Sequence, residues 1–313
     1  MGNAVSKPPL TPVSAPFFSV ILPTHNRLGM LREALRSVRE QSFPEYEIIV
    51  VDDGSTDGTV EHLAEHEAGI QVIQQPHRGP GAARNAGIAA AKGGYVAFLD
   101  SDDVWFPWTL QTYRQVILQH EHPAFLTGAA LPWGEAGAAM AGEPMTTLFP
   151  DLLHACDGEM PPVSGTPSIC LRTDVLRASG GFAAQNMNAE DVDLWLRLGT
   201  ASGFVRIHSP AVFAQRKHEG NVSLSVMPSI LGARHLINQE ISDAYPGGGR
   251  FQKQRRRIIA ANARSVILAA LRPGMVQEAW GLFCGTFRWQ FQFRHLRFLA
   301  AFPFLCLRAC IHA

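Results

Sequence analysis

Three carboxylates fall within four positions of VAFLDSDDVW, Val96 to Trp105: Asp100, Asp102 and Asp103. Like charges this close repel one another unless something positive sits among them. Two chemistries answer that need equally well on spacing and charge. The acids could cap the next helix by accepting its orphan amides, or hold a hard divalent cation through oxygen ligands. A second acidic pair, Asp52-Asp53, runs into Gly54. Asp-Gly favours a turn, and either carboxylate could instead accept an N–H from a nucleobase edge. RGPGAARN, Arg78 to Asn85, is a Gly-opened helix start with two arginines. Such a terminus favours an anion, and Arg84 there is either an ion-paired helix residue or a phosphate contact. Glu190 and Asp191 open a further helical pattern, a place that suits acids in any protein. His218, in RKHEGNVS, is a lone histidine, a residue that can ligate metal through a neutral imidazole.

These residues need elements to position them. FFSVILPT, Phe17 to Thr24, is a continuous apolar run and predicts a strand buried on both faces. Leu28, Leu31, Leu35 and Val38 follow at helical spacing. YEIIVVDD, IQVIQQ and YVAFLD read as three more strands, separated by helix starts at Asp57 and Gly79. Alternation of this kind specifies a doubly wound, mostly parallel α/β sheet with helices on both faces. Right-handed crossovers then bring the strand C-termini to one edge, where ligands bind. The polar clusters Thr24–Arg27, Asp52–Ser55 and Asp100–Asp103 all follow strands, so they share that edge. Leu131 to Gly165 reads as a long loop with one short helix. Beyond Leu224 the pattern is helical, and Pro246 to Arg257 is a linker leading into a basic helix start.

The chain has 313 residues and a formal net charge of zero. That balance does not fit a strongly nucleic-acid-binding protein. Five scattered cysteines match no zinc spacing, and their odd number argues against a disulfide framework. Residues 1–16 form a proline-rich, polar leader without the apolar core of a signal peptide. The start MGNAVS also fits the short N-myristoylation pattern through Gly2 and Ser6. The expected compartment is cytoplasmic.

SVILPTHNR, VVDDGSTDGT, RGPGAARNAG, VAFLDSDDVW and AEDVDLWLRL occur in that order. Together they resemble the family-2 glycosyltransferases, inverting enzymes of the GT-A fold, over about Phe17 to Ser223. The resemblance implies that Asp100-Ser101-Asp102 is the element holding Mg2+ or Mn2+ against the diphosphate of a nucleotide-sugar. Asp102 would be the principal ligand, Asp100 would lie nearer the ribose and metal, and His218 would reach the metal or diphosphate. It further implies that Asp53, beside Asp52, reads the base, usually uracil. Pro23, Thr24, Asn26 and Arg27 would form the first loop beside base and ribose, and Arg84 would be a donor-side contact. Asp191 would be the general base and Glu190 an acceptor contact. Asp103 is expected to cap the helix after it, and Asp193 to be structural. The implied partners are a nucleotide-sugar donor, UDP-sugar first, and a glycan or lipid-linked acceptor. Two rival functions are a catalytically silent nucleotide-sugar-binding protein and a nucleotidyltransferase. The second lacks support in its first loop, where Leu22–Arg27 replaces a Gly-rich, Arg-Lys-bearing segment.

The expected organisation is a catalytic domain over 17–225, with a nucleotide-sugar half 17–105 and an acceptor half 106–225, then a helical region 226–313. Phe287-Arg288-Trp289-Gln290 lacks the Gln-X-X-Arg-Trp spacing of processive members, which implies transfer of one sugar. The tail has no acid after Glu278 and several arginines among aromatics. Phe298 to Leu307 is too short to cross a bilayer, and Pro303 is expected to break or kink any helix there. The tail either packs on the catalytic domain or touches the inner face of a membrane.

Overall fold

The computed structural model describes residues 15–156, 163, 165–217 and 226–312. The leader through Ser14, with Gly2, and the segment holding His218 and Asn221–Ser223 lie outside the described residues. The chain alternates β1 (Phe18–Thr24), α1 (Leu28–Arg39), β2 (Tyr46–Asp52), α2 (Thr59–His66), β3 (Gln71–Gln74), α3 (Pro80–Ala90) and β4 (Tyr95–Phe98). β5 (Val104–Trp105), α4 (Thr109–Gln119), β6 (Phe125–Gly128) and β7 (Ala130–Pro132) come next. They lead to β8 (Met145–Phe149), α5 (Leu152–Ala155), β9 (Ile169–Arg172), α6 (Thr173–Ala178) and α7 (Glu190–Arg197). β10 (Phe204–Ser209) and β11 (Phe213–Gln215) precede four helices: α8 (Val226–Ile241), α9 (Gln252–Leu271), α10 (Val276–Gln292) and α11 (Leu296–His312).

Among the described residues, the main sheet has eight strands in the order β3-β2-β1-β4-β9-β6-β10-β8. β1 pairs in parallel with both β2 and β4. The chain therefore builds outward through β3, then returns to the other side of β1. The crevice between the ends of β1 and β4 is this sheet's topological switch point. β1 is buried along its whole length, as its unbroken apolar run predicts. Its side chains alternate between two cores. Val20 and Leu22 pack with Leu31, Leu35 and Val38 of α1, while Ile21 packs with Ala83 and Ile88 of α3. Helices on both faces are the consequence.

The second half departs from simple alternation. β9 lies antiparallel between β4 and β6. Residues 131–165, expected as a loop with one short helix, also supply an edge strand. This is β8, antiparallel to β10. Its MTTLF sequence faces solvent at three of five positions, so it lacks the apolar signature that marks a core strand. A small sheet, β5-β11-β7, stands at the C-terminal edge beside the main one.

The C-terminal helices join the core on the α3 face. Ile230, Ile259, Leu282 and Phe302 belong to the same buried cluster as Ile21 and Phe98. No helix among the described residues is long and apolar enough to cross a membrane. α11 runs through Pro303 rather than breaking there. The proline removes one backbone hydrogen bond, but Phe302 and Cys306, buried on either side of it, hold the helix against Trp280 and Phe283.

Candidate active site

A cleft of about 390 Å³ opens at the strand C-termini. Pro23, Thr24 and Arg27 enter it from the end of β1, Asp53 from β2, Arg84 from α3, and Asp100–Asp103 from β4. Glu190 and Asp191 enter from the start of α7, across the sheet. The site residues singled out in the sequence thus converge, apart from Asn26 and Asp52, which do not line the cleft, and His218, which lies outside the described residues.

Those two stitch the first two loops together. The Asn26 backbone N–H donates to Ser55 Oγ (2.9 Å), and its side-chain oxygen accepts from the Thr56 N–H (2.7 Å). Asn26 does this from a left-handed backbone, φ +51°, which Asn tolerates better than most residues. Asp52 accepts from the Ser55 N–H at 3.1 Å, closing the Asp-Gly turn. Asp57 accepts from the Leu28 N–H (3.0 Å) and so satisfies one orphan amide of α1.

Asp53 is committed to the loop after β3. One oxygen accepts from Gln75 Nε2 (2.7 Å) and the Arg78 N–H (2.9 Å). The other accepts from the Gly79 N–H (2.8 Å) and lies 2.9 Å from His77 Nδ1. These three N–H donors anchor the Asp53 carboxylate, which also lines the cleft. Gly79 is needed at its position, because it has φ +91° and a Cβ would sit 2.9 Å from Asn186 Oδ1. The imidazoles of His25 and His77 stack at 4.2 Å between centroids, and both line the cleft. Thr24 Oγ1 is buried there with no hydrogen-bond partner among the described residues. An orphaned hydroxyl in a cleft wall marks a place where a ligand would complete the bonding.

The crowded acids are held by two guanidiniums. Arg27 Nη1 lies 2.7 Å from Asp102 Oδ2, so β1 and β4 are bridged across the switch point. Arg84 is buried and places one nitrogen 2.8 Å from Asp100 and another 2.8 Å from Glu190. Thr166 supports the same arrangement, donating to Asp100 Oδ2 at 3.1 Å. Burial works against the Arg84 charge, but Asp100 and Glu190 outweigh it and hold its pKa above the ordinary value. The sequence left Arg84 open between an ion-paired residue and a phosphate contact, and the geometry gives the ion pair.

Asp103 does not cap a helix. A two-residue strand, β5, follows it, and the next helix begins only at Thr109. Its carboxylate instead accepts from the Arg216 N–H at 2.9 Å, docking the end of β11 onto the acidic turn. Burial, then the charge of Asp100, push the Asp103 carboxyl up to about 8. Ligand atoms of Asp100, Asp102 and Asp103 all lie within 4.8 Å of one another. This all-oxygen set suits Mg2+ or Mn2+. The charge balance agrees, since six carboxylates (Asp53, Asp100, Asp102, Asp103, Glu190, Asp191) line the cleft against three guanidiniums (Arg27, Arg84, Arg216).

Asp191 is half-buried, with one oxygen accepting its neighbour Val192's N–H at 2.7 Å. Burial, then the charge of Glu190, push its carboxyl up to about 7, against the opposing pull of the Val192 N–H and Arg84. The helix that carries it starts from Ala189 in a left-handed conformation, φ +68°, which is strained for a residue with a Cβ. That turn is held from outside. The Asn188 N–H donates to the Pro228 carbonyl (3.0 Å), and Asn188 Nδ2 to Ser229 Oγ (2.8 Å). α8 approaches so closely that a Cβ on Gly232 would lie 1.7 Å from the Asn188 carbonyl oxygen. Asp193, on the same helix, is buried and lies within 3.0 Å of Arg197, His235 Nε2 and the Tyr245 hydroxyl. Trp195 lies in the core.

Sequence reasoning missed Arg216, Thr166, Asn188, His25 and His77. The two histidines adjoin motifs that were noticed. Arg216 opens the RKHEGNVS segment and Asn188 precedes AEDVDLWLRL, but their roles, like that of Thr166, are set by tertiary contacts.

This architecture is GT-A-like. S. aureus TarS 1-349 in complex with UDP-GlcNAc superposes with a TM-score of 0.57 at 22% identity, over 89% of this chain and 91% of that one. The mannosyltransferase PcManGT from Pyrobaculum calidifontis, in complex with GDP-Man and Mn2+, gives a TM-score of 0.52 at 19% identity, over 96% of this chain and 87% of that one. Residues 19–128 match the glycosyl transferase family 2 model. The Bacillus subtilis protein described as putative teichuronic acid biosynthesis glycosyltransferase TuaG is 38% identical over 120 residues, covering 37% of this chain and 48% of its own length. The chain spans 37%, 30% and 26% of the length of the first three curated relatives it matches.

Proposed function

We propose that this chain is a metal-dependent, inverting glycosyltransferase that moves one sugar from a UDP-sugar to a hydroxyl of a glycan or lipid-linked acceptor. The observation that carries the proposal is the convergence of a half-buried Asp191, poised near neutrality, with the acidic turn Asp100–Asp103 in one cleft. Asp191 takes the acceptor hydroxyl proton as the oxygen attacks in line, a role that requires a base with a pKa near the working pH. Arg84 neutralises Glu190 beside it and keeps Asp191 from rising further. Glu190, tied to Arg84, serves acceptor binding by fixing that wall of the cleft.

Asp102 and Asp100 hold the divalent ion, with His218 as a further candidate outside the described residues. Bound there, Mg2+ or Mn2+ would stabilise the charge that develops on the departing diphosphate. Its need follows from the cleft's excess of acids, which would otherwise repel a diphosphate. At the nucleotide end, Pro23, Thr24, Ser101 and the His25–His77 pair form the wall. Asp52, Asp53 and Asn26 act by fixing the loops that carry it. Arg27, paired with Asp102 here, would release that carboxylate to the ion and turn to the donor's phosphate. The organisation proposed is a leader 1–16, a catalytic region 17–225 and a helical region 226–313. The likeness to TuaG supports a cell-envelope polysaccharide as the acceptor class.

The test is titration of the full chain with UDP and GDP, each with and without Mn2+, followed by transfer assays on Asp191→Asn. Metal-dependent UDP binding that persists in Asp191→Asn while transfer is lost supports the proposal. Transfer by Asp191→Asn at the parent rate overturns the base assignment. Metal-independent binding overturns the ion's role, and selective GDP binding moves the donor to a GDP-sugar.

A further inference from the structure

The exposed face of α11 and the neighbouring part of α10 carry a chemistry that the transfer reaction does not use. Leu296, Phe304, Leu307 and Ile311 are 56%, 73%, 63% and 79% exposed. At about 100° per residue they fall within one stripe about 80° wide, with exposed Ala300 and Pro303 filling the gaps. The opposite face of the same helix holds Phe302 and Cys306, buried against α10. α11 is therefore apolar on two sides, and the described residues cover only one of them. Phe287 and Phe291 of α10, 46% and 62% exposed, add two aromatic rings. Exposure of this extent marks an interaction surface.

The charges identify the partner. Arg297 and Arg308 border the stripe on one side, Arg294 lies in the turn before α11 and Arg288 on α10; all four are exposed. No Asp or Glu occurs after Glu278. A second copy of this surface would set arginine against arginine with no acid to separate them, so self-association is opposed. An anionic lipid surface meets both needs. Its headgroups pair with the guanidiniums, and its acyl boundary accepts the Leu, Phe and Ile side chains. α11 has 17 residues, and no described helix is long and apolar enough to cross a membrane, whereas a helix of this kind can lie in the interface. The arginine stems are long enough to bury along the boundary with their heads in the headgroup layer.

We infer that α11, together with the exposed edge of α10, is an interfacial membrane-docking surface that binds anionic lipid headgroups through Arg288, Arg294, Arg297 and Arg308. The inference stands apart from the transfer reaction, because lipid binding is read without activity.

Flotation of the full chain with vesicles tests it, using phosphatidylcholine alone and phosphatidylcholine mixed with phosphatidylglycerol. The parent is expected to float with the mixed vesicles, much less with the neutral ones, and less again at high salt. Phe304→Asp/Leu307→Asp should lower flotation by at least about tenfold. Arg294→Gln/Arg297→Gln/Arg308→Gln should lose the preference for phosphatidylglycerol. UDP binding and melting temperature of both variants, measured alongside, report an intact fold. Failure of the parent to float with anionic vesicles overturns the inference, as does equal flotation by the Asp variant. A parent that dimerises in sedimentation, does not float, and becomes monomeric in the Asp variant gives the surface to a second copy instead.

Discussion

Asp193→Ala should weaken the whole molecule through one helix. Asp193 sits two residues after Asp191 on α7, and its carboxylate holds three partners: Arg197 from its own helix, and His235 and Tyr245 from the C-terminal region. Only 2% of it is exposed. Removing one member of a buried, hydrogen-bonded charge pair costs about 3–5 kcal/mol, and an unsatisfied buried Tyr245 hydroxyl alone costs about 1–3 kcal/mol within that total. Against a typical stability of about 5–15 kcal/mol, a loss of about 4 kcal/mol is severe. At roughly 2–4 °C per kcal/mol, the midpoint should fall by about 8–16 °C. Asp193→Asn keeps an oxygen for Tyr245 and should lose about half as much.

The pH dependence supplies a second check on the same residue. Burial alone would raise the Asp193 carboxyl, but the hydrogen bond to His235, then the Arg197 charge and Tyr245, outweigh it and hold the group below its ordinary value. A depressed folded pKa stabilises the fold above the unfolded pKa of about 4, and that contribution is lost as pH falls through the folded value. The difference between parent and Asp193→Ala should therefore be full at neutrality and shrink in acid. Chemical denaturation across pH measures it. A midpoint for Asp193→Ala within about 2 °C of the parent, or a difference unchanged in acid, would refute the assignment of Asp193 as a latch.

Three further outcomes follow from the cleft. With Asp191 pushed up to about 7, the base is protonated below that pH, so kcat/KM should rise about tenfold per pH unit on the acid side and level off above it; a profile flat from pH 5 to about 8 would place the base elsewhere. Gly232→Ala forces the Asn188 carbonyl away from its 1.7 Å clash, so it should lower kcat while leaving UDP affinity within about twofold; an unchanged kcat would show that α8 does not set the catalytic turn. Arg27→Gln removes the guanidinium paired to Asp102, and Mn2+ binding, followed by calorimetry, should tighten by about tenfold; unchanged affinity would separate the ion pair from the metal site.

The first half of the chain was legible because its information is local. The continuous apolar run of β1 reports a strand covered on both faces, and the strand-end positions of Thr24, Asp53 and Asp100 place them on one edge without any knowledge of contacts. Glu190 and Asp191 were found through motif order. What stayed hidden is defined by distant partners. Arg84 reaches a glutamate 106 residues away, and Asp193 finds Tyr245 52 residues on. β8 is an edge strand exposed at three of five positions, so it leaves no apolar trace. Asp103 was read as a cap because acids before a helix usually are. The intervening β5 turned it instead to the Arg216 N–H, which no local pattern encodes. The hold of Asp53 on Gln75, Arg78 and Gly79 spans more than twenty residues and was likewise not legible locally.

The charge distribution links the two ends of the cleft. Six carboxylates against three guanidiniums leave a formal excess of three negative charges with the histidines neutral. Protons can relieve part of that excess, and the raised carboxyls of Asp103 and Asp191 are where they would go. A divalent cation relieves it differently. Held at the Asp100–Asp103 end, it would also be felt at Asp191, whose carboxyl the charge of Asp100 helps to raise. Arg84 stands between them, with one nitrogen on Asp100 and another on Glu190. Charge brought to Asp100 therefore changes how strongly that guanidinium is shared with Glu190, and hence the field at Asp191. One buried arginine thus links Asp100 to Glu190 across the cleft. That link makes Arg84 a positioning residue for both halves of the proposed reaction, and it explains why burying a guanidinium there is tolerated.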